Sequence, residues 1–330
     1  MLNTIVSNLK TDQPLLVIGA GSVGERHIRN LWSIGYRNIL VYRQRNLPFR
    51  EIGEAQVKVF IDWNEVVKQR PVAAIICTPS AQHLLQVEDC IKAGMHILVE
   101  KPLSHQLFDK DALITELENR KLFLQVGYML RYHPLLQQVK SVIKEKTFGN
   151  VINIQTYWGE YLPDWHPWED YRLSYAASKE NGGGAALTLS HDLDLVNWLM
   201  DVLPNEHKVM HNYASTLETD TDSAFDALLS YPNKATAHVH VNFCQKVQQR
   251  RYKIILDEAV IDIDYYNASM KIATKENINE THIDNFDRNE MFIDELKDFF
   301  ATIESGNYKE ASKQQVEHSY SIIKICQHEQ

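Results

Sequence analysis

The sequence predicts an α/β protein made of a doubly wound parallel sheet followed by an α+β domain with an open, mainly antiparallel sheet. Three observations lead to this expectation. Up to residue 126, short apolar segments alternate with segments of helical periodicity, whereas later segments alternate apolar and polar residues. The chain has 330 residues, more than one hydrophobic core usually organises. We therefore expect two domains, 1–127 and 128–330.

The first domain consists of six predicted strands with helices between them. The strands are expected at residues 15–19, 38–43, 57–61, 72–77, 96–99 and 122–126, and the helices at 22–34, 62–69, 80–93 and 104–119. Gly35 and Gly94 mark helix ends, and Asp62 with Glu65 has the spacing of a capping box. Strands that alternate with helices form right-handed parallel crossovers, so six of them complete a doubly wound sheet.

The second domain has the alternating pattern of half-buried strands, clearest between Thr236 and Phe243. Strands are expected at residues 151–158, 225–231, 236–243, 252–256 and 259–265. Helices near residues 135–144, 193–200, 286–303 and 314–327 are expected to cover one face of this open sheet.

The composition excludes several classes of function. A net charge of −9 repels phosphate backbones, so nucleic acid is not an expected partner. No apolar run approaches the ~18 residues of a membrane span, and residues 1–12 lack a signal-peptide pattern, so we expect a cytoplasmic protein. The four cysteines lie far apart, and His238 with His240 lies on a polar strand face, so we expect no metal site.

A glycine-rich loop, Gly19-Ala20-Gly21-Ser22-Val23-Gly24, stands between the first predicted strand and the first helix. In this context Gly19 permits a tight turn, Gly21 lets the backbone approach a pyrophosphate, and Gly24 lets the helix pack closely. The N–H groups at the start of the helix, including those of Ser22 and Val23, attract the anion. The loop therefore predicts a Rossmann domain that binds a nicotinamide dinucleotide.

The residues after the second strand indicate which dinucleotide binds. NAD-binding domains usually place Asp or Glu there to hydrogen-bond the adenosine ribose, but the sequence reads Val41-Tyr42-Arg43-Gln44-Arg45. Arg43 and Arg45 are suited to bind a 2′-phosphate through paired N–H groups. We predict NADP, with NAD as the alternative if both arginines are simply solvated surface residues.

Three further motifs follow the loop: Thr78-Pro79-Ser80, Glu100-Lys101-Pro102-Leu103, and Gly182-Gly183-Gly184 ahead of His191. Over nearly the whole chain they resemble the Gfo/Idh/MocA family of glucose–fructose oxidoreductase, inositol dehydrogenase and MocA. The resemblance implies NAD(P)-dependent oxidation or reduction of hydroxyl and keto groups, mostly of sugars, cyclitols and nucleotide-linked sugars. It also implies a homodimer or homotetramer that pairs through the open sheet.

The resemblance also assigns roles to individual residues. The cofactor contacts that it implies beyond the glycine loop are Thr78, Pro79, His83, Glu100 and Lys101. Lys101, at the carboxyl end of the fifth strand, is expected to polarise the reacting oxygen, and Glu100 to orient Lys101 or the nicotinamide ribose. His191 is expected to exchange the carbinol proton, with Asp194 either orienting it or acting as a helix-start carboxylate.

One departure from the family pattern concerns this histidine. Many relatives carry an aspartate three or four positions before it, where this sequence has Thr188 and Leu187. The histidine then acts with the lysine alone, or Tyr128 or Asp192 takes part. A ligand-sensing protein without activity is a further alternative.

Residues 158–172 combine aromatic rings, carboxylates and one arginine. Aromatic rings pack on the C–H faces of sugars, and an arginine is suited to bind a phosphate or carboxylate. Alternatively, the segment covers the edge of the sheet. The expected substrate-binding residues are Tyr128, Trp165, Arg172, His191 and Asp192. The segment also resembles a branch of the family associated with surface-glycan and nonulosonic-acid sugars.

The favoured interpretation is an oxidoreductase whose first domain binds the dinucleotide and whose second domain binds a carbohydrate-type substrate and pairs the subunits. Two alternatives use the same scaffold. One is an imine- or lactone-type reductase, and the other is a catalytically silent NADP-binding sensor.

Overall fold

A computed structural model describes residues 12–44, 48–53 and 56–327 of the chain, which forms two compact units. The parallel-sheet unit runs through Ser104 and also contains Phe108–Gly127 and Asn289–Glu317. The mixed-sheet unit contains His105–Leu107, Tyr128–Arg288 and the chain from His318 onward. We expected residues 289–317 in the second domain, whereas their contacts group them with the first sheet.

The parallel-sheet unit contains a six-stranded sheet in the order β3-β2-β1-β4-β5-β6, with every neighbouring pair parallel. Its strands are β1 (Leu15–Ile18), β2 (Ile39–Tyr42), β3 (Lys58–Phe60), β4 (Ala73–Ile76), β5 (His96–Glu100) and β6 (Leu124–Gly127). Its helices are α1 (Ser22–Ser33), α2 (Trp63–Lys68), α3 (His83–Lys92), α4 (Lys110–Arg120), α8 (Asn289–Ser305) and the part of α9 (Tyr308–Cys326) up to Glu317. The prediction of a Rossmann sheet is confirmed.

Capping residues determine where two of these helices begin. Asp62 caps α2 as expected, since its side chain accepts a hydrogen bond from Asn64 N at 2.9 Å. The helix that we expected to begin at Ser104 is α4, which begins at Lys110. Asp109 acts as its cap, because the Asp109 side chain accepts a hydrogen bond from Ala112 N at 3.0 Å. The expected start at residue 104 was therefore wrong.

Helix α8 completes the core of the parallel-sheet unit. The rings of Phe299 and Phe300 lie 5.7 and 4.6 Å from those of Phe123 and Tyr36, and all four residues are buried. We expected this helix to cover the antiparallel sheet. Helical periodicity reveals that α8 has an apolar face, but it does not reveal which surface that face meets.

The mixed-sheet unit contains an eight-stranded sheet in the order β14-β13-β12-β11-β7-β10-β9-β8. Its strands are β7 (Val151–Tyr161), β8 (Glu206–Asn212), β9 (Ala224–Ser230), β10 (Thr236–Asn242), β11 (Cys244–Leu256), β12 (Ala259–Asp264), β13 (Ser269–Thr274) and β14 (Ile278–His282). Its helices include α5 (Pro134–Glu145), α6 (Ala185–Thr188) and α7 (His191–Met200). Every neighbouring pair is antiparallel except β7 and β10, so the prediction of a mainly antiparallel sheet is confirmed.

The alternation of β10 separates two faces of this sheet. Ala237, Val239 and Val241 are buried on the inner face. The opposite face, called here the outer face, carries side chains that the strand register aligns across β7, β8, β9 and β10. Its members include Tyr157, Met210, Asp226, Leu228, His238 and His240.

No helix among the described residues is long and apolar enough to cross a membrane.

Candidate functional site

The glycine loop has the geometry that a bound pyrophosphate needs. Gly19 has a φ of +87°, and a β-carbon on Gly24 would lie 2.0 Å from the Gly19 carbonyl oxygen, so both positions require glycine. A β-carbon on Gly21 would meet no atom of the described chain within 4 Å, which leaves that side of the loop open. Helix α1 begins at Ser22, directly after Gly21, so its first N–H groups face this opening and fit an anion.

Arg43 lies beside this loop at the end of β2. The carbonyl oxygen of Tyr42 accepts a hydrogen bond from Gly19 N at 3.0 Å, which places residue 43 at the same edge of the sheet. The Arg43 side chain is largely buried, and its guanidinium carbon lies 4.3 Å from the centre of the Phe49 ring. Arg45, the second predicted 2′-phosphate ligand, lies outside the described residues.

The segment after β4 is tied to the segment after β5 through His83. Thr78 and Pro79 follow β4, and the imidazole of His83 lies 2.7 Å from the carbonyl oxygens of both Thr78 and Pro102. Burial lowers the pKa of His83. Because both ring nitrogens lie against backbone carbonyls, His83 joins two loops of the site rather than presenting a free nitrogen to a ligand.

Glu100, at the end of β5, has a partner that the sequence analysis did not identify. The Nε2 atom of His27, on the buried side of α1, lies 2.8 Å from a Glu100 carboxylate oxygen. Although burial favours the neutral acid, this hydrogen bond and the charge of Lys101 hold the pKa of Glu100 below its ordinary value. His27 is three positions after Gly24 on the apolar face of α1, and a buried histidine there was the available signal.

Lys101 follows Glu100 directly and therefore lies at the carboxyl edge of the parallel sheet. The glycine loop, Arg43, and the Thr78 segment lie at the same edge, after β1, β2 and β4. Open α/β sheets bind their ligands at this edge. The structure thus gathers the described residues of the predicted cofactor site in one region of the parallel-sheet unit.

In the mixed-sheet unit, His191 is the first residue of α7 and is almost fully buried. Its ring lies 5.9 Å from that of Tyr128 and 6.1 Å from that of Trp158. Burial raises the pKa of the Tyr128 hydroxyl, which keeps this hydroxyl protonated. The predicted substrate residues Tyr128 and His191 are therefore brought together.

Asp192 is fully buried and forms an ion pair. One carboxylate oxygen lies 2.5 Å from Nη2 of Arg250, and the Arg250 guanidinium lies 3.7 Å from the centre of the Trp158 ring. Burial raises the pKa of Asp192, and the charge of Arg250 offsets part of that effect. Asp192, which we predicted to contact the substrate, is thus already paired with Arg250 inside the protein.

Asp194 forms a second buried ion pair on the same helix. Arg131 donates two hydrogen bonds to its carboxylate, at 2.5 and 3.1 Å, and Nε2 of His318 lies 2.8 Å from it. Although burial opposes ionisation, Arg131 and His318 hold the pKa of Asp194 below its ordinary value. Both oxygens of Asp194 therefore contact Arg131 or His318, and each of the two carboxylates that follow His191 on α7 is paired with an arginine.

The glycine triplet before α7 is braced by a residue that sequence reasoning missed. Asp222 accepts a hydrogen bond from Ala186 N at 3.0 Å, and Gly184, with a φ of +102°, leaves no room for a β-carbon beside it. Thr188, at one of the two positions where the family resemblance leads us to expect an aspartate, is buried. Asp222 thus holds α6, the short helix that leads to His191.

The aromatic segment places its two predicted substrate residues in different surroundings. Trp165 packs edge-on against Phe243, with ring centres 5.4 Å apart. All three guanidinium nitrogens of Arg172 donate to the carboxylates of Asp170 and Glu218, at 2.7 to 3.1 Å. The segment therefore neutralises Arg172 internally, so a ligand anion would compete with two carboxylates for it.

The described residues contain no group of three or more histidine, cysteine, aspartate or glutamate side chains suited to hold a metal ion. His238 and His240 both contact one oxygen of Asp226, at 3.1 and 2.9 Å. Asp226 and the two histidines thus form a hydrogen-bonded cluster on the outer face.

Comparison with known proteins identifies similar sequences and folds. The uncharacterised oxidoreductase YrbE of Bacillus subtilis (strain 168) is 24% identical over 190 residues, 56% of this chain and 52% of that protein. UDP-N-acetylglucosamine 3-dehydrogenase of Acidithiobacillus ferrooxidans is 23% identical over 257 residues, 78% of this chain and 75% of that protein. The chain therefore matches only about half the length of the first of these curated relatives.

A solved structure has the same fold. Levoglucosan dehydrogenase in complex with NADH and levoglucosan superimposes with a TM-score of 0.79 at 16% identity, over 96% of this chain and 97% of that chain.

Two family models match separate parts of the chain. Residues 14–128 match the oxidoreductase family with an NAD-binding Rossmann fold, and residues 136–262 match the GFO/IDH/MocA C-terminal domain. Together the two models cover most of the sequence, in the order that the two sheets follow. The chain belongs to the Gfo/Idh/MocA family of oxidoreductases and carries its NAD-binding Rossmann domain.

Proposed function

We propose that the protein is an NAD(P)-dependent dehydrogenase or reductase that acts on a CH–OH or keto group of a sugar, cyclitol or nucleotide-linked sugar. The observation that carries this proposal is the position of Lys101, directly after β5 at the edge that holds the glycine loop. The relatives support the substrate class, since one is named for UDP-N-acetylglucosamine and another for levoglucosan, both carbohydrates.

Lys101 and His191 have complementary roles in this proposal. When bound, the nicotinamide supplies or accepts the hydride. The Lys101 ammonium donates a hydrogen bond to the reacting oxygen and stabilises the negative charge that develops on it. The His191 imidazole takes up or returns the hydroxyl proton, since imidazole titrates near neutral pH.

The buried ion pairs support a mechanism in which His191 acts with Lys101 alone. Asp192 and Asp194 are each paired with an arginine. Neither carboxylate is therefore free to take the role of an aspartate at position 188. Burial raises the pKa of Tyr128, so its hydroxyl stays protonated and does not supply a phenolate base. Tyr128 and Trp165 remain the proposed ring contacts for the substrate.

NADP is the proposed cofactor, with NAD as the alternative. Its support is the absence of a carboxylate at residues 41–45 and the largely buried Arg43 guanidinium at the end of β2. A planar guanidinium binds a phosphate through two parallel N–H groups, which a 2′-phosphate satisfies and a bare ribose does not.

A homodimer or homotetramer is the proposed assembly, formed through the outer face of the mixed sheet. Met210 and Leu228 are 70% and 59% exposed on this face, where the strand register places them beside Asp226 and His238. Large apolar side chains grouped on a flat sheet face are typical of a protein–protein interface.

Lys101→Ala tests the proposed activity. We expect kcat/KM on the best substrate of a panel of sugars, cyclitols and nucleotide sugars to fall about 10²- to 10³-fold, because one donor to the developing charge is lost. The affinity for NADPH should change little. Lys92→Ala, an exposed lysine on α3, is the matched control and should leave both quantities unchanged. Unchanged turnover of Lys101→Ala would overturn the role of Lys101.

A catalytically silent, NADP-binding sensor is the second candidate function, and Thr188 in place of an aspartate is the observation that favours it. The same panel separates the two. Tight cofactor binding with no change in nicotinamide absorbance on any substrate would favour the sensor over the dehydrogenase.

A further inference from the structure

Helix α1 carries a buried carboxylate that the proposed chemistry does not use. Glu25 is 3% exposed. Its carboxylate accepts hydrogen bonds from the backbone N–H of Arg50, at 3.0 and 3.2 Å, and from that of Glu51, at 2.7 Å. Burying a carboxylate is costly unless such bonds compensate for the lost water. These bonds therefore hold the segment of residues 48–51 on the side of α1.

This segment contacts the side chain that selects the cofactor in our proposal. Phe49 directly precedes Arg50, and the Arg43 guanidinium carbon lies 4.3 Å from the centre of the Phe49 ring. Stacking on a ring face fixes the plane of a guanidinium, and that plane determines where its N–H groups point. The Phe49 ring is therefore one of the contacts that orient the Arg43 guanidinium.

Arg43 is presented where the adenosine ribose binds in Rossmann domains. It follows Tyr42, whose carbonyl oxygen is 3.0 Å from the backbone nitrogen of Gly19, the first glycine of the loop. Glu25 itself lies one residue after Gly24, the last glycine of that loop. One end of the phosphate-binding loop is thus linked to Tyr42, directly before Arg43, and the other to residues 50 and 51, directly after Phe49.

We propose that Glu25 is a positioning residue for cofactor selection. Its bonds to residues 50 and 51 hold Phe49, and Phe49 holds the Arg43 guanidinium in the plane that binds a 2′-phosphate. This inference rests on the proposed use of NADP.

Two adenosine nucleotides, used as fragments of the cofactor, measure how the protein recognises the 2′-phosphate. Adenosine 2′,5′-bisphosphate differs from adenosine 5′-monophosphate only by the 2′-phosphate, so the ratio of their dissociation constants on the full chain reports on that group alone. We expect the wild-type protein to bind the bisphosphate about tenfold or more tightly. Glu25→Gln keeps one accepting oxygen but replaces the other with an NH₂ group that faces a backbone N–H, so we expect it to reduce the ratio about fivefold or more. Its affinity for the monophosphate should change less than about twofold.

Three variants serve as controls. Glu51→Gln removes only the surface ion pair with Arg29 and keeps the backbone N–H that Glu25 accepts, so the ratio should stay at the wild-type value. Arg43→Ala should reduce the preference at least as much as Glu25→Gln does, and adding Glu25→Gln to it should have no further effect on the ratio. Glu25→Asp, which keeps the charge on a shorter side chain, should lie between the wild type and Glu25→Gln. Circular dichroism establishes that each variant is folded.

The outcomes separate the two proposals. A wild-type protein without preference for the bisphosphate overturns both the use of NADP and the role of Glu25. A wild-type preference that Glu25→Gln leaves intact, or a loss of affinity for both fragments in equal measure, overturns the role of Glu25 alone.

Discussion

The hydrogen bond between His27 and Glu100 joins α1 to the residue beside Lys101. His27 lies on the apolar face of α1, whereas Glu100 belongs to the Glu100-Lys101-Pro102-Leu103 motif. Their contact spans 73 positions of sequence, which no local pattern encodes. The bond links the glycine loop helix to the segment that carries the proposed catalytic lysine.

His27→Leu should lower the free energy of unfolding at pH 7 by about 1 to 3 kcal/mol, because it leaves a buried carboxylate without its donor. The pKa of Glu100 is below its ordinary value in the folded protein, so its stabilising contribution is present above the unfolded pKa. That contribution is lost as the pH falls through the folded pKa. The difference between variant and wild type should therefore shrink below about pH 4.

Urea unfolding at pH 7 and at pH 3.5 measures this difference. His27→Gln, whose amide is able to donate to the same oxygen, is the matched control and should recover part of the loss. A difference that grows as the pH falls would contradict the assignment.

Motifs in the sequence identify candidate site residues, but they do not reveal which side chains pair with the neighbouring aspartates. Lys101 and His191 were identified from motifs, whereas the arginines that pair with Asp192 and Asp194 are 58 and 63 positions away in sequence. Such pairs form because burying an unpaired carboxylate is costly, and the chain offers several arginines that satisfy this need. Sequence alone therefore left open whether either aspartate was free for the substrate.

At the scale of elements, the glycine loop and α1 provide two substitutions of equal size that should differ in their effect on stability. Gly24→Ala places a methyl group against the Gly19 carbonyl oxygen, so we expect a loss of about 1 to 3 kcal/mol in stability. Gly21→Ala meets open space at an ordinary φ of −77°, so its stability should remain near that of the wild type.

Gly21→Ala should nevertheless weaken NADPH binding about tenfold or more, because the methyl group projects into the opening where the pyrophosphate is expected. Thermal unfolding and fluorescence titration of the two variants measure both effects. Equal losses of stability would mean that the loop packs differently from the arrangement described above.

Strands were predictable where burial imposes a pattern and not where it does not. The buried strands β1 and β4 are short apolar runs that are easily recognised. Strands β8, β13 and β14 were missed, and every residue of β14 is exposed, so no apolar alternation marks it. The polar first part of β11, from Cys244, was missed for the same reason.

At the scale of the whole molecule, the outer face leads to a prediction about assembly. The 38.2 kDa chain should sediment as a dimer or tetramer. Leu228→Lys should shift it toward the monomer, because a charge in an apolar interface is costly to desolvate.

Ile61→Lys is the matched control, since Ile61 is 72% exposed in the parallel-sheet unit and should leave the assembly unchanged. Analytical ultracentrifugation distinguishes these states. A wild-type protein that sediments as a monomer at micromolar concentration would contradict the proposed assembly.

The contribution of α8 to the parallel-sheet core has a consequence for how the protein is made. Phe299 and Phe300 leave the ribosome long after β6, with the whole of the mixed sheet translated in between. At ordinary elongation rates this interval is on the order of ten seconds or more. Until then Phe123 and Tyr36 lack the rings that cover them in the finished protein. The nascent parallel sheet therefore keeps part of its core exposed to water until α8 has been synthesised.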